Sequence, residues 1–360
     1  MTPQPFPKLR RPFVVLLLAF ATIPFVAVPS FAEGKGKSVV KTFQARPQPA
    51  AEALRAGPER FSWPRRYVVY TPSNYDPAQA LPLVMVLHGC LECGSSELPL
   101  IESIEHDTQF DELADKERFI VVYPNHKLDL GPGAGVPFCW EWWIDTNIHE
   151  GRGEVADLAG IVEEVKRDYK VDSNRVHITG ISSGGAMTVA ALVAYSEIFA
   201  SGSPTAGLPY SETQVNFFQH TYKPVGEIAA AITAEMGTNK RPVPIIVIQS
   251  EADTVVNAHY AENIRDSWGS AFGVNTQTPV SPPVSDTTKG TPWTHTKYGK
   301  GPDGNTVVET LILHRRPDGG LKHGWYGGGD GQFAFSNAPN TAQLAWEFFK
   351  AHPLPAQPQY

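Results

Sequence analysis

The chain has few long hydrophobic runs, few clustered basic residues and few cysteines, and each shortage excludes a class of protein. After residue 32, no apolar run is long enough to span a membrane. The sequence carries 30 Lys and Arg against 37 Asp and Glu, a net charge of −7, and the basic residues form no block. Nucleic acids and anionic membranes bind through basic patches. We therefore expect no nucleic-acid partner and no stable membrane association once the N-terminal segment is removed.

The first 32 residues have the pattern of a signal peptide. Lys8, Arg10 and Arg11 form a basic start, residues 13–28 form an apolar run, and residues 30–32 supply small side chains for cleavage. A run of this length is short for a membrane span, although an uncleaved anchor is the alternative. We predict cleavage after residue 32 and a secreted or periplasmic protein.

Three cysteines, Cys90, Cys93 and Cys139, are present. An exported protein favours one disulfide with one thiol left over. Pairing of Cys90 with Cys139 closes a large loop, Cys93 with Cys139 competes with it, and Cys90 with Cys93 would crosslink only a short turn. Zinc is disfavoured because the C-x-x-C pair has no second pair at ligand spacing. We expect no metal and no cofactor, and the role of Cys93 stays open.

Strand and helix patterns alternate along most of the chain. Residues 33–64 show no periodicity and are predicted to be a flexible lead-in, followed by one catalytic domain over residues 65–353. Strands are predicted at 66–71, 83–87, 119–123, 243–249 and 306–314, with another leading into residue 180. Helices are predicted at 108–116, 155–165, 186–199, 258–268 and 341–351. This alternation predicts an α/β fold, with a mostly parallel sheet and helices on both faces.

Two stretches interrupt the alternation. Residues 207–241 contain several aromatic residues, and residues 269–292 are rich in Pro, Ser and Thr. Active-site covers commonly come from such insertions. Residues 208–241 are therefore a candidate lid, with an ordinary surface loop as the alternative.

The sequence Gly180-Ile181-Ser182-Ser183-Gly184 joins a β-branched run to an apolar helical pattern. G-x-S-x-G between a strand and a helix is typical of a nucleophile elbow, in which the serine sits on a tight turn between closely packed elements. Glycine on both sides permits that close approach. Ser182 is the predicted nucleophile, and the backbone N–H of Ser183 is a predicted oxyanion donor.

A serine nucleophile needs a base, and the base needs an orienting carboxylate. In α/β-hydrolases the order along the chain is Ser, acid, His, each after a strand. Asp253 follows the strand predicted at 243–249, and Glu251 is its rival. His323 follows the next strand in a glycine-rich loop, whereas His314 lies within the strand pattern. We predict Asp253 and His323 as the acid and the base.

The turn Leu87-His88-Gly89-Cys90 ends a buried strand and can aim a second N–H at the oxyanion. Cys90 would donate through its backbone, and His88 is interpreted as a residue that fixes the turn.

Tryptophans are concentrated near the candidate site, at Trp140, Trp142 and Trp143, with Trp325 two residues after His323. Aromatic residues at this density suit the wall of a cleft for a ring or an apolar acyl chain. Core packing is the alternative for each, and we expect one or two of the first three to line the site.

Together, these residues resemble the polyhydroxybutyrate depolymerase and feruloyl esterase family of α/β-hydrolases. The resemblance is carried by Leu87-His88-Gly89-Cys90, Cys139-Trp140, the stretch from Gly180 to Met187, Gly207-Leu208-Pro209-Tyr210, Asp253-Thr254-Val255-Val256 and His323-Gly324-Trp325. It implies an α/β-hydrolase fold, a triad of Ser182, Asp253 and His323, and oxyanion amides at Cys90 and Ser183. It also implies the disulfide Cys90–Cys139.

The function expected from residues and resemblance together is that of an exported serine carboxylic-ester hydrolase without a cofactor. Its substrates would be hydroxyalkanoate oligoesters or aromatic, feruloyl-type esters. Two alternatives remain: hydrolysis of amide bonds in a polymer such as a polyacid polyamide, and a non-catalytic binding protein on the same fold.

Overall fold

The computed structural model describes residues 35–44, 64–90, 99–126, 139–301 and 304–355. The predicted signal peptide, residues 1–32, and Cys93 lie outside these ranges. The fold is that of an α/β-hydrolase, as the sequence predicts.

Ten strands form one sheet in the order β1-β2-β4-β3-β5-β6-β7-β10-β9-β8. The six from β4 to β10 in this order run parallel, and the two strands at each end are antiparallel to their neighbours. A separate pair, β11 and β12, is short. The bounds are β1 Lys37–Phe43, β2 Arg65–Thr71, β3 Leu81–Leu87, β4 Ile120–Pro124, β5 Val171–Ile181, β6 Ser201–Thr205, β7 Ile245–Ser250, β8 Val284–Thr288, β9 Thr291–Lys300, β10 Thr306–Leu313, β11 Trp325–Tyr326 and β12 Ala334–Phe335.

Helices cover both faces of the sheet. They are α1 Pro99–Thr108, α2 Phe110–Glu117, α3 Gly153–Asp168, α4 Ser183–Ala194, α5 Gln214–Gln219, α6 Val225–Met236, α7 His259–Phe272 and α8 Thr341–Ala351. Alternate residues of β3 enter two different cores. Leu83 and Met85 pack with α3, α4, α6 and α7, while Val84 and Val86 pack with α1, α2 and α8. This burial on both faces explains why the strand is a continuous apolar run.

The prediction of a flexible lead-in over residues 33–64 is wrong for Lys37–Phe43, which form β1 along β2. Phe43 is the one buried residue of β1, and it lies against Gly160 of α3. The other residues of this edge strand are mostly solvent-exposed, so its sequence lacks the alternation that marks a half-buried strand.

Three other elements depart from the predicted pattern. The helix predicted at 108–116 corresponds to α2, and a helix that was not predicted, α1, precedes it, separated from it by Gln109 with a φ of 55°. The strand β6 was not predicted, because its sequence Ser-Gly-Ser-Pro-Thr is buried but carries no large apolar side chain. Residues 269–292 contribute β8 and the start of β9, a hairpin that extends the sheet.

Candidate active site

Ser182 lies in the tight turn between β5 and α4. Its φ of 57° and ψ of −121° lie in a region that residues with a side chain rarely adopt. Hydrogen bonds hold the turn on both sides: Ser182 N–H donates to Thr205 O at 3.0 Å, and Ser182 O accepts from Ala186 N–H at 2.9 Å. The side chain stays half-buried at the carboxyl end of β5. This is the geometry of a nucleophile elbow.

The two glycines of the elbow are required by close packing. A Cβ on Gly180 would lie 2.7 Å from Gly184 O, and a Cβ on Gly184 would lie 2.5 Å from Leu87 O. Both distances are shorter than real Cβ contacts. Any larger residue would push α4 away from β3 and β5, and Ser182 would move with it.

Asp253 and His323 form a direct hydrogen bond. Asp253 Oδ2 lies 2.7 Å from His323 Nδ1, with the aspartate side chain 0% and the histidine side chain 10% exposed. Asp253 Oδ1 accepts the N–H groups of Val255 at 2.8 Å and Val256 at 2.9 Å. Because the carboxylate can only accept, Nδ1 carries the proton, and Nε2 of a neutral ring is free to accept another.

The rival carboxylate, Glu251, has a different partner. Its Oε1 lies 3.0 Å from Nδ1 of His314, and its Oε2 accepts the N–H of Arg315 at 3.2 Å. The structure therefore pairs His323 with Asp253, the acid that the sequence favours, and pairs His314 with Glu251, which the sequence did not indicate.

Ser182 and the Asp253–His323 pair lie at the same edge of the sheet. Ser182 follows β5, Asp253 follows β7 and His323 follows β10, and these strands run parallel through β6. Because the carboxyl ends of parallel strands meet at one edge, the loops that carry the three side chains are neighbours.

The turn after β3 is fixed by His88. Its Nδ1 bonds to Gly89 O at 2.7 Å, and its Nε2 accepts the N–H of His126 at 2.9 Å. One nitrogen donates and the other accepts, which requires a neutral ring, and burial lowers the pKa of His88 to about 3. His88 is thus a structural residue, as interpreted from the sequence, and it holds the turn that presents Cys90.

Cys90 and Cys139 form a disulfide with an S–S distance of 1.99 Å. This confirms the pairing that the family resemblance implies. It joins the turn after β3 to the start of the tryptophan-rich segment, residues 139–143.

A family model described as Esterase PHB depolymerase matches residues 65–276, more than half of the chain. The chain belongs to this esterase family. Among curated relatives, poly(3-hydroxyalkanoate) depolymerase C of Paucimonas lemoignei is 28% identical over 263 residues, 71% of this chain and 57% of that protein. Acetylxylan esterase A of Emericella nidulans is 27% identical over 252 residues, 66% of this chain and 77% of that protein. The chain thus spans little more than half of the depolymerase relative.

Solved structures share the fold of this chain. An acetyl xylan esterase from Aspergillus awamori superimposes with a TM-score of 0.60 over 87% of this chain and 99% of that chain, at 17% identity. A thermostable esterase gives a TM-score of 0.51 over 88% of this chain and 63% of that chain, at 16% identity. At these identities, the comparison establishes the α/β-hydrolase architecture.

Two of the tryptophans predicted to line the cleft are core residues. Trp140 and Trp325 are each 0% exposed. Trp140 packs beside His88, at 5.4 Å between ring centroids, and Trp325 packs against Phe110 at 6.0 Å. Neither can touch a ligand in this conformation, so their predicted substrate contact is wrong. The reason is that burial and ligand contact favour the same residue types.

Trp142 is also a core residue, whereas Trp143 is the more accessible of the two. Trp142 is 6% exposed and Trp143 is partly exposed, with their rings 5.3 Å apart in an edge-on contact. Phe217 of α5 lies 6.0 Å from the Trp142 ring. The insertion, residues 208–241, therefore packs directly on the tryptophan-rich segment.

A buried charged network, which was not predicted from the sequence, packs against Trp140 of the tryptophan-rich segment. Arg65 donates to Asp157 at 2.9 Å, lies 3.5 Å from Glu154 and sits 5.0 Å from the Trp140 ring centroid. Glu154 also bonds to His126 at 3.0 Å. Burial raises the pKa of Glu154, but His126 and Arg65 outweigh it, so that pKa is lowered. These residues are far apart in the chain, and no local sequence pattern predicts that they contact one another.

His149 ties the insertion to the residues that follow Trp143. Its Nδ1 lies 2.5 Å from Glu235 of α6, and its Nε2 lies 3.1 Å from Asp145. Burial lowers the pKa of His149, but the bonds to Glu235 and Asp145 outweigh this, so the pKa is raised. The His149 imidazole, bonded to a carboxylate on each side, therefore ties α6 to the residues after Trp143.

Within the described ranges, no group of three or more His, Cys, Asp or Glu residues is arranged to hold a metal ion. Among the helices that the structure describes, none is long and apolar enough to cross a membrane.

Proposed function

We propose that the protein is a serine carboxylic-ester hydrolase with Ser182 as nucleophile, His323 as base and Asp253 as the carboxylate that orients it. The observation that carries the proposal is the 2.7 Å bond between Asp253 and His323, at the sheet edge where Ser182 occupies its elbow. His323 Nε2 takes the serine proton as Ser182 attacks the acyl carbon, and returns it to the leaving alcohol. Water then releases the acyl group with the help of the same base.

Two backbone N–H groups, of Cys90 and Ser183, are proposed to stabilise the oxyanion. Ser183 begins α4, where the first N–H groups have no partner within the helix. Cys90 ends a turn held by His88 and by the disulfide. Rigid donors of this kind need no reorganisation as charge develops, and each contributes about 3–4 kcal/mol to the transition state.

The proposed substrates are esters of hydroxyalkanoate oligomers, aromatic acids of the feruloyl type, or acetylated sugars. The named relatives act on the first and last of these classes. Trp142 and Trp143, beside the insertion, supply apolar surface for an acyl chain or a ring. We further propose that residues 1–32 direct export and that residues 208–241 act as a lid. A disulfide, which persists in oxidising compartments, supports export.

A fluorophosphonate probe tests the nucleophile directly. The folded enzyme is expected to be labelled on Ser182, and Ser182→Ala is expected to lose labelling and about 10⁴-fold or more in kcat on a p-nitrophenyl ester. A folded wild-type protein that resists the probe would instead support the non-catalytic binding protein.

A substrate panel separates ester from amide hydrolysis. It should contain hydroxyalkanoate oligomers, feruloyl esters, acetylated xylo-oligosaccharides and oligoamides, assayed with wild type and Ser182→Ala. We expect kcat/KM to be higher on at least one ester class than on every amide. Faster turnover of the oligoamides would overturn the proposed reaction in favour of the polyamide alternative.

A further inference from the structure

The proposed acid and base lie on two separate segments, which must be held at a fixed position relative to each other. Asp253 belongs to the acid turn, residues 250–256, and His323 belongs to the histidine loop, residues 314–324. The histidine loop lies between β10 and β11 and has no helix or strand of its own. Two of its glycines have positive φ values, 104° at Gly319 and 86° at Gly320. A segment of this kind has many conformations available, so its position must come from tertiary bonds.

Ser250 makes a bond to each of the two segments. Its hydroxyl donates to Leu321 O at 2.5 Å and accepts the N–H of Ala252 at 3.1 Å. Ser250 is 0% exposed and Leu321 is 3% exposed, so water cannot replace either bond without entering the core. Leu321 is two residues before His323, which makes this hydroxyl a short physical link between the acid turn and the base.

Two neighbouring side chains complete the arrangement. Gln249 Nε2 donates to Val256 O at 3.0 Å and lies 3.4 Å from Asp253 Oδ2, which closes the acid turn from inside. Tyr326 OH donates to Lys322 O at 3.1 Å, on the other side of the histidine loop. Burial, followed by the charge of Asp253, raises the pKa of Tyr326 well above its ordinary value, so the phenol keeps the proton that it donates.

We propose that Ser250 is a positioning residue for the base: its hydroxyl joins the acid turn to the histidine loop and thereby holds the His323 imidazole at hydrogen-bond distance from Asp253. The inference rests on the proposed function, because it assigns Ser250 an effect on catalysis through the Asp253–His323 pair. Ser250 touches neither the substrate nor the reacting atoms.

The test compares Ser250→Ala with Ser201→Ala in full-length mature enzyme on a p-nitrophenyl ester. Ser201 is the matched control: it is 0% exposed, its hydroxyl bonds to His177 at 2.9 Å, and it lies at the opposite edge of the sheet from Ser182. We expect Ser250→Ala to lower kcat about 10- to 100-fold with little change in KM, because the base is displaced. Ser201→Ala should lose a similar amount of stability and keep kcat within about 2-fold. Equal kcat values for the two variants would overturn the proposal.

A double-mutant cycle with Asp253→Asn distinguishes positioning from general loosening. If Ser250 acts through the pair, Ser250→Ala should lower kcat much less in the Asp253→Asn background than in wild type. Losses that simply multiply would show that Ser250 acts independently of Asp253 and would overturn the proposal.

Two further measurements allow the result to be interpreted if Ser250→Ala does not fold or if the proposed function is wrong. If Ser250→Ala does not fold, Ser250→Cys keeps a side chain of similar shape with a weaker donor, and kcat should fall roughly 3- to 10-fold; an unchanged kcat then counts against the proposal. Ser182→Ala is run in parallel. Activity retained in Ser182→Ala would overturn the proposed function itself, whereas an inactive Ser182→Ala with an unaffected Ser250→Ala would overturn only the inference about Ser250.

Discussion

At the scale of single residues, the site separates two acidic side chains that are neighbours in the chain. Glu251 and Asp253 are two positions apart, yet each bonds to a different histidine. The Glu251 side chain is 40% exposed and its partner His314 is 37% exposed. Asp253 is fully buried behind His323. A buried carboxylate, shielded from water, orients an imidazole more strongly than an exposed one.

Substitution of the two carboxylates should therefore have unequal effects. Asp253→Asn is expected to lower kcat by about 10⁴-fold, because the amide favours the wrong tautomer of His323. Glu251→Gln, the matched control, should change kcat by less than about 3-fold, since it alters only an exposed contact with His314. Steady-state kinetics on a p-nitrophenyl ester with thermal melting of both variants is the measurement. A large loss of kcat in a folded Glu251→Gln variant would contradict the assignment.

At the scale of elements, the sequence predicts those strands and helices whose buried positions carry apolar residues or whose turns require glycine. β3, β7 and the β5–α4 elbow are apolar or glycine-constrained, and their positions were predictable, together with Ser182, Asp253 and His323. β6 is buried through Ser, Gly, Pro and Thr, and thus resembles a loop. Its Thr205 O nevertheless holds the elbow, which no local pattern indicates.

The tryptophans illustrate a second limit of the sequence. Trp140 and Trp142 are two residues apart in an aromatic cluster, and the pattern gives both the same prediction. Arg65, His88 and His126 surround Trp140 and remove it from solvent. These partners come from three distant segments, so the difference between the two rings arises only in the folded chain.

The disulfide is the covalent link between elements at the site. Cys90 and Cys139 are 49 residues apart, and on chain-entropy grounds a crosslink over this loop stabilises the fold by about 4 kcal/mol. Cys90→Ala with Cys139→Ala should lower the free energy of unfolding by roughly that amount in urea titrations. Wild type under strong reductant should approach the double variant. A loss below about 1 kcal/mol in both samples would show that the charged network beneath Trp140 holds this segment without the disulfide.

At the scale of the whole molecule, histidines in different parts of the fold have pKa values shifted in opposite directions. His88 follows β3 at the edge that carries Ser182, whereas His177 lies within β5, stacked on Phe349 at 4.8 Å. Burial lowers the pKa of each to about 3. In contrast, the pKa of His149 at the insertion is raised. The fold therefore carries two opposite responses to pH, and they operate in different ranges.

The free energy of unfolding should fall in mild acid because His88 and His177 are buried. The unfolded chain protonates His88 and His177 near pH 6.5, whereas the folded protein does not until about pH 3. Their contribution is therefore complete above pH 6.5 and is lost as the pH falls, with a slope of about 1.4 kcal/mol per pH unit for each histidine. Urea unfolding is measured between pH 6.5 and pH 5, where the unfolded-state histidines become protonated, and comparison with a variant isolates the contribution of one histidine. The stabilisation that His149 gains from Glu235 and Asp145 is present below pH 6.5 and is lost above it, so it does not contribute to this slope.

Two variants test the contribution of His177. His177→Gln should reduce the slope of unfolding free energy against pH by the share of one histidine. His220→Gln, at an exposed position of the insertion, should leave the slope unchanged. An undiminished slope in folded His177→Gln would mean that His177 is protonated in the native protein. The assignment of a neutral His177 ring stacked on Phe349 would then be wrong.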